Sequence, residues 1–182
     1  KISVAFTIAL ESDTYTYDGE SHYNAKIATS TAKSGRTTYS YSFEEEGEYV
    51  SDLSTLTKVD AGVYTVYVKG VNPNYSNAAT TTAKLTINKR NVTVSVADAP
   101  DVVYDGEEHT GNTAYEFSNV VEGQNATITY TPAKGTAANT YTGSYGTDFA
   151  VTAGTKDVTA NYNLTTKTPG KLTITAADAD AL

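Results

Sequence analysis

The sequence predicts an all-β protein made of two tandem antiparallel β-sandwich domains, and three observations carry that prediction. Apolar and polar residues alternate with a period of two, turn signals separate the alternating runs, and short motifs recur at one fixed spacing. Many short half-buried strands at regular intervals belong to a sandwich or barrel rather than to a parallel α/β sheet. Composition agrees: threonine is the commonest residue, there are 15 Tyr, and Met and Trp are absent. Branched and aromatic side chains fit a pleated surface better than a helix.

The repeat is read from three anchors. The stretch TYDGESH at residues 16–22 returns as VYDGEEH at 103–109, so Tyr17, Asp18, Gly19 and His22 recur as Tyr104, Asp105, Gly106 and His109 (104 − 17 = 87). The same offset links Asn74 and Tyr75 to Asn161 and Tyr162, and the KLTI of Lys84–Ile87 to that of Lys171–Ile174. One offset held at separate anchors means two copies of a unit. The expected domains are residues 1–89 and 90–182, joined at NKRN, Asn88 to Asn91. A junction that short limits how far two domains can swing, so the expected arrangement is an extended, semi-rigid one.

Along the chain, KISVAFTIA places Ile2, Val4, Phe6 and Ile8 on one face of a first strand. The Asp-Gly pair that follows Tyr17 supplies positive backbone dihedrals for a tight hairpin turn, with His22 as a polar residue hydrogen-bonding the loop. TTYSYSF carries Tyr39, Tyr41 and Phe43 inward, and EYVSDLSTLTKV holds at most a short turn of helix. DAGVYTVYV turns into a central strand whose Tyr64, Val66 and Val68 fill the core. NPNY enters the last hairpin, with Tyr75 against the sandwich edge and Asn74 tolerating a left-handed conformation. The second copy repeats the scheme with NVTVSVA (Val92, Val94, Val96), ATITY (Ile128, Tyr130), TANY (Asn161, Tyr162) and the closing LTI.

Several chemistries are excluded by residue type. With no cysteine there is no disulfide framework, zinc knuckle or thiol nucleophile. Each copy has one histidine and so lacks the second ligand a metal site wants; no metal, cofactor or catalytic residue is assigned. No GxSxG elbow occurs, and the run Glu44, Glu45, Glu46 and Glu48 beside Gly47 is a solvated loop rather than a glycosidase dyad. A formal charge of −8, with 13 Lys and Arg not gathered on one face, argues against nucleic acid. No apolar run is long enough to span a bilayer, so membrane insertion is not expected. The chain does not begin with Met, and the expectation is a piece of a longer polypeptide with any export signal or anchor outside it.

The order YDGESH, then YSYSFEEEGEYVSDLSTLTKVDAGVYTVYVKGVNPNY, then TTAKLTI resembles the YDG or MBG-type repeats of bacterial surface proteins. The second copy, with YDGEEHT, YTPAKGTAANTYTGSY and KDVTANYNLTTKTPGKLTI, is similar to the other common form of that repeat. It departs from the pattern at Gly135 to Tyr141, where GTAANTY lacks the usual Asp-Ala-Gly. The resemblance implies two immunoglobulin-like sandwiches, monomeric, repeated along a secreted or wall-anchored polypeptide beside neighbouring repeats of the same chain. Its implied role is a non-enzymatic stalk. The alternative is an adhesin module binding host glycans or extracellular-matrix proteins directly, through loop tyrosines such as Tyr49 and Tyr115.

Overall fold

The computed structural model describes residues 1–181, and its chain divides into two compact units, Lys1–Lys89 and Arg90–Leu182. Among the described residues the regular elements are β-strands and short 3-10 turns, with no α-helix.

In the first unit a four-stranded sheet runs in the order Asp13–Thr16, Ala79–Asn88, Gly62–Val71, Thr38–Ser42, and a second pair joins Ile8–Ala9 to Thr29–Ser30. The long strands form where alternation is strictest. In Gly62–Val71, Val66 and Val68 point inward and Tyr67 and Lys69 outward; in Ala79–Asn88, Ala83, Leu85 and Ile87 are buried. Phe6, Ile8, Leu10, Tyr41 and Tyr75 pack with Val66, Val68 and Leu85 in one apolar cluster.

The second unit uses shorter strands in more pieces. Glu116–Ser118, Arg90–Ser95 and Tyr162–Thr168 make one sheet, and Asn139–Thr142, Lys171–Thr175 and Val102–Val103 another. Val92, Val94, Val151, Leu172 and Ile174 are buried, Val92 and Val94 in the alternating phase that the sequence marks.

Three expectations are corrected. Not every pairing is antiparallel: Asp13–Thr16 runs parallel to Ala79–Asn88, Val102–Val103 to Lys171–Thr175, and Tyr162–Thr168 to Arg90–Ser95. Parallel neighbours need a long connection, and here each pair is joined through most of its unit. Alternation reports which face is buried and carries nothing about a partner's direction. Next, the inward face of the first strand begins only at Phe6: the chain bends at Val4, which is 74% exposed, and Ile2 makes only an isolated bridge to Tyr75. Tyr39, Tyr41 and Phe43 do face the core, Tyr41 fully buried and the other two partly buried against the same cluster. Tyr75 and Tyr162 are not edge residues but buried ones, Tyr75 meeting Phe6 edge-on with ring centroids 4.9 Å apart. The EYVSDLSTLTKV segment contributes a 3-10 turn, Leu53–Thr55, capped by the Asp52 carboxylate accepting the Ser54 N–H.

Leu85 is completely buried. Leu85→Ala is expected to cost roughly 2–5 kcal/mol through lost transfer energy and the cavity left behind. Urea denaturation followed by tyrosine fluorescence measures it.

Candidate functional site

Among the described residues, the chemistry-bearing constellation built twice is the Asp-Gly-His corner. The strand before it lies along the closing strand of its unit, the Tyr17 N–H donating to Asn88 O and the Tyr104 N–H to Thr175 O, each at 2.9 Å. The chain then turns at glycine: φ is 82° at Gly19 and 84° at Gly106. Neither Asp18 nor Asp105 shares the positive φ, so the corner is not the two-residue hairpin with both central residues left-handed. Nor do its flanks pair with each other. After the turn, His22 bonds reciprocally with Lys58 (2.8 and 2.9 Å), and His109–Thr110 pairs antiparallel with Lys134–Gly135.

The aspartates shape this corner through their side chains. Asp18 Oδ1 accepts the Glu20 N–H at 2.9 Å and the His22 Nε2–H at 2.8 Å; Asp105 Oδ1 accepts the Glu107 N–H and the His109 Nε2–H, both at 2.9 Å. This is a turn in which a carboxylate replaces a backbone acceptor. Partial burial works against the Asp18 charge, but the Glu20 N–H and the His22 imidazole outweigh it and hold the carboxyl below its usual range. At Asp105 the Glu107 N–H and then His109 act in the same direction.

The two corners differ around this shared frame. The Tyr15 ring stacks on His22 with centroids 4.3 Å apart, and Val102 stands at the matching place in the second unit. Tyr17 is 2% exposed while Tyr104 is 45% exposed. Among the described residues no group of three or more His, Cys, Asp or Glu could hold a metal ion.

Other recurring polar residues went unmarked by the fixed offset. Asn24, fully buried, donates from Nδ2 to Glu11 O (2.9 Å) and Lys84 O (3.3 Å), and its Oδ1 accepts the Lys26 N–H (2.9 Å). Asn112 does the corresponding work, donating to Ala97 O at 2.9 Å and Asp98 O at 3.1 Å. A slip of one residue hides the pair from a comparison at 87 (112 − 24 = 88).

Tyr64 and Tyr141 are likewise equivalent although 77 apart (141 − 64 = 77). Each sits opposite the buried leucine of the closing strand, Leu85 or Leu172, and each hydroxyl donates to the carbonyl four residues back, Asp60 O at 2.7 Å and Ala137 O at 3.0 Å. GTAANTY therefore anchors its tyrosine as DAGVY does, without the Asp-Ala-Gly. The hydroxyl of Tyr75 accepts the Lys33 N–H at 2.9 Å, and that of Tyr162 the Val121 N–H at 3.2 Å.

The asparagines before those tyrosines are not left-handed. Among the described non-glycine residues the positive φ belongs to Asn119 (67°), whose carbonyl and side-chain oxygens accept from Arg90 at 2.7 and 2.8 Å. The Asn74 N–H is satisfied by Asn72 Oδ1 at 3.0 Å, which closes the turn without a positive φ. The tyrosines proposed for adhesion, Tyr49 and Tyr115, are half-buried: Lys69 lies over the Tyr49 ring at 3.8 Å, and Tyr115 packs edge-on against Phe117.

No protein-family model matches the chain, and none of the curated proteins matches it. Among solved structures, the fibronectin(III)-like modules of Clostridium thermocellum CbhA are 12% identical over 94% of this chain and 95% of that one, with a TM-score of 0.31. Three N-terminal domains of the Highly Immunogenic Outer Capsid protein (Hoc) of bacteriophage RB49 are 14% identical over 95% of this chain and 71% of that one, also at 0.31. Superpositions that loose carry no argument about this chain.

Two outcomes are expected from the corners. A carboxyl whose folded pKa lies below its unfolded value, about 3.9 for Asp, contributes stability above that value and loses it as pH falls through the folded pKa. Asp18→Asn and Asp105→Asn should therefore destabilise at neutral pH and flatten the acid limb of stability against pH between about 2 and 5, read by thermal unfolding. At Gly106 an added Cβ meets nothing closer than the Tyr104 hydroxyl at 4.0 Å, so Gly106→Ala isolates the backbone effect. It should cost about 1–2 kcal/mol, the penalty of a left-handed L-residue, in equilibrium denaturation.

Proposed function

We propose that this chain is a non-enzymatic structural segment, two immunoglobulin-like YDG-type repeats that space or support a partner domain on an exported bacterial surface protein. One observation carries the reading. The polar side chains that recur in both units each bond to their own unit's backbone: Asp18 and Asp105, Asn24 and Asn112, Tyr64 and Tyr141, Tyr75 and Tyr162. What the repeat preserves from copy to copy is thus the means of holding loops and strands in place. The recurring imidazole serves the same end, since its Nε2–H is engaged by the carboxylate that shapes the corner.

A catalytic dyad needs a group free to meet substrate, with a pKa matched to its task. Here the recurring carboxylates are tied to an N–H and an imidazole and held in their ionised form. Export and surface display rest on the resemblance of the YDG and LTI motifs to surface repeats, and an acidic, cysteine-free chain suits that setting. In this reading the segment acts as a monomer among neighbouring repeats of its own polypeptide.

The test is a display assay. One, two or three copies of residues 1–182 are placed between a cell-wall anchor and an antibody epitope, and epitope accessibility is measured on intact cells. Accessibility should climb with copy number, and a panel of chromogenic ester, glycoside and peptide substrates should remain unturned. Accessibility independent of copy number, or turnover that purifies with the chain, would sink the proposal.

A further inference from the structure

The outward face of the first unit's large sheet carries a cleft. In strand Gly62–Val71, Tyr67 lies opposite Ser42 on one side and Thr82 on the other, and Lys69 opposite Ser40 and Thr80. Tyr67, Lys69, Thr80 and Thr82 form the floor of a cleft of about 430 Å³, walled by Tyr49 and rimmed by Glu45 and Glu46. The wall is fixed in place. Val50 bonds reciprocally with Tyr41 at 2.8 Å, the Gly47 N–H closes the loop on Glu44 O at 3.1 Å, and the Tyr49 hydroxyl donates to Glu45 O at 2.9 Å. Lys69 Nζ, 3.8 Å above the Tyr49 ring, ties wall to floor.

The second unit serves as an internal control. Its strand pairing places Ser144 opposite Thr131 and Tyr145 opposite Tyr130, as Tyr67 lies opposite Ser42 and Val68 opposite Tyr41. At the positions of Tyr67, Lys69 and Thr82 the second unit has Ser144, Gly146 and Pro169. The matching strands of the second unit, which lie in two smaller sheets, are therefore built without the aromatic, the ammonium or the hydroxyl at these positions. Their presence in the first unit needs another reason.

We infer that this cleft binds a neutral pyranose oligosaccharide. Its volume of about 430 Å³ falls in the range of small-molecule sites, roughly 300–1,000 Å³. Tyr67, half-buried, offers an amphipathic ring for the C–H face of a sugar. The carboxylates of Glu45 and Glu46 accept hydrogen bonds from sugar hydroxyls, and Thr80 and Thr82 both donate and accept. Charge selects among saccharides: Glu44, Glu45, Glu46 and Glu48 crowd one exposed loop on a chain of formal charge −8, so sulfated and uronic glycans are repelled. The inference does not rest on the spacer role and stands or falls separately.

The whole chain, isotopically labelled, is titrated in NMR with cellohexaose, maltohexaose, mannohexaose and xylohexaose at millimolar concentration, and with a chondroitin sulfate hexasaccharide. At least one neutral sugar should give saturable shifts confined to residues 42–49, 67–69 and 80–82. Tyr67→Ala should weaken it by at least about tenfold, Tyr67→Phe should retain it, and Glu46→Gln, on an exposed loop the fold does not lean on, should weaken it without changing thermal stability. Silence from all four neutral sugars, shifts centred on the second unit, tighter binding of chondroitin sulfate, or unaltered affinity in both Tyr67→Ala and Glu46→Gln overturns the inference.

Discussion

The closing strand of each unit has to satisfy its backbone on two sides, and the structure depends on how that is done. In the first unit Gly62–Val71 covers one side, antiparallel, and Asp13–Thr16 the other, parallel. In the second unit Asn139–Thr142 and Val102–Val103 take the same places along Lys171–Thr175. The parallel neighbour must then leave the sheet edge at once, because its chain continues into the other half of the unit. Tyr17 and Tyr104 make the last bonds to the closing strand, and the next residues are Asp and Gly. A left-handed glycine reverses the direction, and the carboxylate supplies the acceptor that the departing N–H groups have lost.

From this constraint the reason for the histidine follows. It sits four residues after the aspartate, where the turned chain brings its ring back over the carboxylate, and its own backbone starts the next pairing. An ionised carboxylate that accepts both an N–H and an imidazole N–H is a stronger brace than either bond alone. Asn24 and Asn112 do a related task just beyond, bridging the first connecting segment to the chain emerging from the corner. Polar residues that look chemical in a list of letters are here the joints of the backbone.

Much of the fold was legible because burial leaves a period in the sequence. Val92, Val94 and Val96, Val66 and Val68, and the Leu and Ile of both LTI strands lie on the faces their alternation marks. What alternation could not carry is strand direction, so the parallel pairs were missed, and a bend at Val4 delays one inward face until Phe6. Fixed-offset matching found the corners but not Asn24 with Asn112 or Tyr64 with Tyr141, because insertions shift these pairs to spacings of 88 and 77 (112 − 24 = 88; 141 − 64 = 77). The Asp-Gly pair was read from dihedral preference alone, whereas the side-chain acceptor removes the need for a positive φ at Asp. The cleft around Tyr67 was invisible for a simpler reason. Its parts come from a loop and two strands that only the folded register brings side by side.

The central claim is that the recurring carboxylate and imidazole are bound to each other in the service of the turn. Long-range proton–nitrogen NMR on labelled imidazoles tests it most directly, since it reports which ring nitrogen carries the proton. Both His22 and His109 should show the proton on Nε2, with the His22 signature changed by Asp18→Asn and indifferent to added zinc. Rings bare at Nε2, or signals that move together on adding the metal, would contradict the account.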